Sequence, residues 1–188
     1  VMATDFSILK QYLGEEIAGV IGFGLISSCV VELDLATPRI ALFDPGTYTL
    51  REGEWSELIM DDRIPVVHAK FEGHDGLFRL DTGANGTVTF HQPAVEKWKL
   101  LEGREAHGPL TDHKLGGVGG FVAGKTGTID SFELGGVRHE KLAVTFALEA
   151  KGTFADDRKE GNIGGDLLRP FTLVLDYKNK RIAFVKKK

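Results

Sequence analysis

Phe78-Arg79-Leu80-Asp81-Thr82-Gly83-Ala84-Asn85-Gly86-Thr87-Val88-Thr89-Phe90 is the stretch whose reading decides the fold. An apolar strand runs into an acidic residue, and a small-residue turn carries the chain back into a second apolar run. One carboxylate on a tight, glycine-permitted loop between two strands sits where its surroundings set its pKa. Upstream, Arg63–Phe71 reads as a strand in which Pro65 marks an edge or a strand start. Glu72-Gly73-His74-Asp75-Gly76 reads as a hairpin turn, and Leu77–Leu80 delivers Asp81. Downstream, Pro93 opens a short helix with Val95, Trp98 and Leu101 on one face.

Composition bounds what surrounds this stretch. The 188 residues are 42% hydrophobic and 27% charged, enough for one good core and too few for two large ones. Twenty-four glycines with only short helical signals favour a turn-rich, all-β protein. Lys+Arg 23 against Asp+Glu 27 gives a net charge of −4, so no basic surface argues for nucleic acid. The single cysteine, Cys29, lies among Ile26, Val30 and Val31 and reads as a buried structural thiol. No apolar run reaches the roughly 18 residues that span a membrane. Localisation stays open, because the sequence starts in mid-pattern at Val1 and leaves room for an upstream signal peptide.

A second pattern spans the chain. Residues 1–18 carry helical spacing at Phe6, Leu9 and Leu13, broken at Gly14. Gly19–Phe43 then aligns without a gap on Gly161–Val185, at an offset of 161 − 19 = 142. Nine pairs are identical, among them Gly22/Gly164, Leu25/Leu167, Asp34/Asp176, Arg39/Arg181 and Ile40/Ile182. That reads as an internal repeat more readily than as two similar hairpins on a common theme. The expected division is 1–46 as the C-terminal part of a first lobe, 47–61 as a strand-like connector and 62–188 as a complete second lobe. An equivalent of Asp81 in the first lobe falls near 81 − 142 = −61, before Val1.

The order strand, hairpin, strand, Asp81-Thr82-Gly83-Ala84, strand resembles the retropepsin-like aspartic proteases, in their bacterial two-repeat form. Ile163-Gly164-Gly165-Asp166-Leu167-Leu168 and the closing hairpin Asp176-Tyr177-Lys178-Asn179-Lys180-Arg181 add to the resemblance. It covers about residues 62–186 as a whole lobe and 15–45 as a partial one. It implies an all-β, closed barrel-like acid-protease lobe with a few short helices, and an aspartic endopeptidase that needs no cofactor and no metal. Asp81 is then one of two carboxylates about 3 Å apart that share a proton and activate a water. Thr82 braces the paired loops, Gly83 lets the backbone turn beside the carboxylate, and Ile163 and Gly164 support the loop. Gly117, Val118, Gly119, Gly120 and Phe121 take the place of the flap that closes over bound peptide. The second carboxylate comes from a missing first lobe or from a second copy, and the partner is a peptide or protein substrate. Asn162 departs from the resemblance, since an apolar residue usually stands there.

Other residues carry weaker signals. His68, His74, His91, His107, His113 and His139 show no metal-ligand spacing. Gly124-Lys125-Thr126-Gly127 lacks the spacing and the strand-to-helix setting of a phosphate loop. Asn85-Gly86-Thr87 fits a glycosylation acceptor but lies beside the Asp81 loop. Asp166 reads as the start of a short helix, and Lys151–Gly161 as a charged loop. A different class remains open beside the peptidase: a degenerate module of the same fold that binds peptides or partner proteins without cleaving them.

Overall fold

The computed structural model describes residues 22–117 and 120–187. The helical spacing of 1–18, the Gly19–Ile21 start of the repeat pattern and Val118-Gly119 at the expected flap tip lie outside the described residues. The chain is all-β with short helices. α1 (Phe23–Ile26) leads into β1 (Val30–Asp34) and β2 (Arg39–Phe43); β3 (Ser56–Glu57) and β4 (Ile59–Asp61) follow. Then come β5 (Ile64–Phe71), β6 (His74–Leu80), β7 (Val88–Phe90), α2 (Gln92–Lys97) and a 3-10 turn at Arg104–His107. β8 (Thr111–Gly117), β9 (Gly120–Leu134) and β10 (Val137–Ala147) form a meander. A 3-10 turn at Gly152–Ala155, β11 (Gly161–Ile163), α3 (Gly165–Leu168), β12 (Phe171–Asp176) and β13 (Arg181–Lys186) complete the chain.

Two sheets result. One has the order β2-β1-β12-β13-β3, and the other β4-β5-β6-β11-β7-β10-β9-β8. In the larger sheet β5 also pairs with β9, Phe71 opposite Phe132, which curls it back on itself. Period-two alternation decides what fills the inside. Along β6, Gly76, Phe78 and Leu80 are buried while Arg79 points the other way. Phe71, Phe78, Phe90, Phe132 and Phe146 are fully buried, with ring centroids 5.2 to 5.8 Å apart along the cluster. Edge-on contacts and the stacked Phe90–Phe146 pair add to the burial of the rings themselves. Phe78→Ala should therefore cost about 3–5 kcal/mol, read as a lower urea midpoint at unchanged slope.

The turn before β6 is tighter than the sequence suggested. Only Glu72 and Gly73 make it, with φ of 47° and 85°, and Phe71 pairs with His74 across it. His74–Gly76 belongs to the strand, because two successive positive-φ residues close a hairpin whose twist matches the flanking strands. Glu72 also anchors the turn. Its carboxylate takes Arg104 Nη2 at 2.8 Å and the Asp130 N–H at 2.9 Å. The glycine-rich part of 103–124 is the ordered β8–β9 ladder, with Thr111 opposite Thr126 and Gly117 opposite Gly120. The connector is strand only at 56–57 and 59–61; its Tyr48, Leu50 and Trp55 lie over Val30, Val174 and Ala183 instead.

Several carboxyls are held below the usual carboxylate range. Burial pushes Glu72 up, but Arg104 and the Asp130 N–H outweigh it. Burial likewise raises Asp176, and Asn179 and Arg181 more than reverse it. Lowered folded-state values mean stability that is fully present above the unfolded values near 4 and lost as pH falls through the folded ones. The thermal midpoint should stay level from about pH 7 to 5 and fall below about pH 4. Glu72→Gln should lower it at neutral pH and make the acid decline shallower.

The two ends of the chain meet in the smaller sheet. α1, β1 and β2 precede α3, β12 and β13 by the same 142 residues, since 165 − 23 = 142 and 181 − 39 = 142. Hairpin registers agree as well: Val30 faces Phe43, and Thr172 faces Val185, again 142 further on. Asp34 accepts Thr37 N–H at 2.9 Å, and Asp176 accepts Asn179 N–H at 3.1 Å. β1 pairs antiparallel with β12, and at the centre Glu32 faces Val174, the residue 142 after it.

Candidate active site

Strand geometry delivers Asp81 to the end of the larger sheet. β6 runs parallel to β11, with Leu80 opposite Ile163, and the Asp81 N–H continues that ladder by donating to Ile163 O at 2.9 Å. The chain turns at once: Ala84 N–H returns to Asp81 O at 3.2 Å, and Gly83 N–H donates to Asp81 Oδ1 at 3.1 Å. It leaves through β7, which pairs antiparallel with the other edge of β11, Val88 opposite Ile163. β11 is thus wedged between the two arms of the Asp81 loop.

Main-chain groups hold the loop from below. Gly164 N–H donates to Thr87 O at 2.7 Å, Gly165 N–H to Ala84 O at 2.9 Å and Asp166 N–H to Gly86 O at 3.1 Å. A Cβ on Gly164 would lie 2.5 Å from Gly86 O, so only glycine permits this approach. Ile163 is fully buried beneath it. Asp166, expected only to begin a helix, does so in the first turn of α3 and also accepts the Gly86 N–H at 3.1 Å. An acid just after Gly164-Gly165 was the available signal. Thr82 and Gly83 are exposed, and neither the Thr82 hydroxyl nor Asp81 Oδ2 has a hydrogen-bond partner among the described residues.

The side of the sheet that carries Arg79 is polar. Arg79 Nη2 sits 2.6 Å from Asp156, with Thr153 on Nη1, and Lys159 Nζ lies 2.9 Å from Asp156 and also contacts Asp61. Burial raises the Asp156 carboxyl, but its lysine and arginine partners hold it below the usual range. The charged loop 151–161 is thereby pinned onto β6. Asn162 explains its own departure from an apolar residue: its Oδ1 meets Nε2 of the fully buried His91 at 3.1 Å. His91 Nδ1 lies 3.3 Å from Asp156 O, and burial lowers the pKa of the ring. The partner of Asn162 lies 71 residues away and left no trace in local spacing.

Asp81, Thr82, Gly83, Ala84, Ile163 and Gly164 are therefore brought together. The hairpin tip is not joined to them by any hydrogen bond among the described residues. Gly117 pairs with Gly120 there, and Phe121 is 59% exposed. Among the described residues no group of three or more His, Cys, Asp or Glu side chains is arranged to hold a metal ion. Among the described residues no helix is long and apolar enough to cross a membrane.

Residues 67–167, which hold the loop and its support, match the family described as aspartyl protease. The chain belongs to the aspartyl protease family. Among solved structures this aspartyl protease chain is similar to a retropepsin-like aspartic protease from Rickettsia conorii, at 16% identity and TM-score 0.49. That likeness covers 70% of this chain and 98% of the other. It is also similar to EIAV protease complexed with the inhibitor HBY-793, at 20% identity and TM-score 0.40, over 65% of this chain and 91% of that one. No curated protein matches the aspartyl protease chain.

Proposed function

We propose that this chain supplies one half of an aspartic endopeptidase, with Asp81 as one carboxylate of a dyad. The observation that carries the reading is the Asp81 loop itself, whose carboxylate is fixed through one oxygen by Gly83 N–H while both arms of the loop rest on residues 163–166. Two such loops, face to face, put two carboxylates about 3 Å apart, where one proton is shared. The ionised member takes a proton from a water, and that water attacks the scissile carbonyl. The protonated member supports the carbonyl oxygen, and the proton then passes to the leaving amine. The pair titrates as a unit.

In this reading residues 1–46 end a first lobe, 47–61 connect, and 62–188 form the second lobe. The other carboxylate comes from the first lobe or from Asp81 of a second copy. Thr82, with no internal partner for its hydroxyl, braces the facing loop. Substrate peptide lies extended in the cleft and pairs its backbone with the cleft strands and with the hairpin Gly117-Val118-Gly119-Gly120-Phe121 as flap.

The test is cleavage of an unbiased peptide mixture between about pH 3 and 7, read by mass spectrometry on the completed enzyme. Activity indifferent to Asp81→Asn removes Asp81 from the mechanism. Saturable peptide binding without cleavage, when both loops carry aspartate, replaces the peptidase with the binding module.

A further inference from the structure

The first-repeat segment has a surface that its counterpart buries. Leu25, Ile40 and Leu42 are 48%, 44% and 43% exposed. Their equivalents 142 residues on, Leu167, Ile182 and Phe184, are 2%, 0% and 8% exposed and lie in the main core. Gly22 shows the same contrast: a Cβ there meets nothing within 4 Å, whereas at Gly164 it strikes the carbonyl oxygens of Ala84, Asn85 and Gly86. β13 has β3 along its outer edge, while β2, its equivalent, has no strand there among the described residues. Arg181 packs over Trp55 at 4.2 Å, and Arg39 has no partner among the described residues.

We infer that Leu25, Ile40, Leu42 and the outer edge of β2 are the docking surface for a β lobe of the same kind as 62–188, with the loop carrying the second aspartate seated on Gly22. The inference rests on the peptidase reading for the aspartate, and names its source. A second copy of this chain does not fit. Its 62–188 lobe already holds Ile182 and Phe184 in its own core, so no vacancy receives Ile40 and Leu42. Both edges of β12, along which a two-fold mate would pair, are occupied by β1 and β13 of the same chain. The symmetry that relates Glu32 to Val174 is thus spent inside one chain, and it carries the Asp81 loop onto Gly22. Ile40 and Leu42 share one face of β2, and apolar side chains this exposed mark a surface meant to be covered.

The test uses the 188-residue chain and a tandem chain in which residues 47–160 precede residues 19–188. Joining 160 to 19 recreates the 160–161 junction and completes a first lobe. In the tandem, amide exchange along β2 should slow by about 100-fold or more relative to the 188-residue chain. Gly22→Ala, neutral in the shorter chain, should become destabilising. A folded tandem whose β2 exchanges as before, or which tolerates Gly22→Ala, overturns the inference. Sedimentation of the 188-residue chain decides the matter even if the tandem fails to fold. A monomer supports the inference, and so does association unchanged by Ile40→Ser with Leu42→Ser. A dimer abolished by that pair assigns the surface to a second copy and overturns it. Slowed exchange without cleavage keeps the docking and removes the peptidase; Asp81-dependent cleavage without slowed exchange does the reverse.

Discussion

Asp81→Asn should abolish peptide cleavage by the completed enzyme and leave its fold intact. Asparagine keeps the shape of the side chain and an Oδ1 that accepts the Gly83 N–H now bonded to the carboxylate at 3.1 Å. Residue 81 is only partly buried, so no core contact is lost. In the proposed dyad, what disappears is the ionised oxygen that removes a proton from water, and general-base catalysis is worth about 10²–10⁴-fold. A fall of at least about 10³ in kcat/KM is expected, because a dyad loses its function as a unit. Thermal unfolding should move by no more than about 0.5 kcal/mol in stability. Retained activity would falsify the assignment of Asp81; a lost fold would show the carboxylate to be structural.

Gly164→Ala should strike the support of the Asp81 loop directly and cost both stability and activity. Its Cβ would sit 2.5, 3.1 and 3.2 Å from the carbonyl oxygens of Gly86, Ala84 and Asn85, all of them main chain. No rotamer change relieves a backbone clash, so either α3 backs away or the Asp81 loop lifts off its support. A cost of about 3 kcal/mol or more is expected, by analogy with overpacked cores. Activity should vanish even where the fold survives at low temperature, because Asp166 N–H and Gly165 N–H lose their loop acceptors together. Chemical denaturation and peptidase assay on the same preparation separate the two effects. Wild-type stability for Gly164→Ala would mean that the loop does not rest where it is described.

What the sequence disclosed, and what it withheld, follows contact range. The Asp81 loop and its flanking strands were legible because alternation and turn chemistry are local. Ile163-Gly164 was legible only through its resemblance to a known support element. The Asn162–His91 pair, the Arg79–Asp156–Lys159 cluster and the hold of Asp166 on Gly86 bridge 65 or more residues, except for the lysine contact. Such pairings follow from the fold and do not announce themselves in spacing. The turn at Glu72-Gly73 was drawn too long for another reason, since His74–Gly76 belongs to β6. A glutamate is an unusual choice at positive φ, and its bonds to Arg104 and Asp130 are what hold it there. Gly124 and Gly127 are where the ladder has no room: a Cβ would come 2.9 Å from Phe146 O and 2.7 Å from Leu110.

The wedge of β11 between the arms of the Asp81 loop also sets a timetable. Glu160 N–H must reach Leu77 O, and Ile163 O must reach Asp81 N–H, before the carboxylate has a fixed direction. At elongation rates of about 5–20 residues per second, the ribosome takes about 4–16 s to travel from the loop to its support. During that interval the nascent chain carries Asp81 on an unanchored hairpin. An aspartate loop assembled in this order gains its fixed geometry only after residues 160–166 have been made.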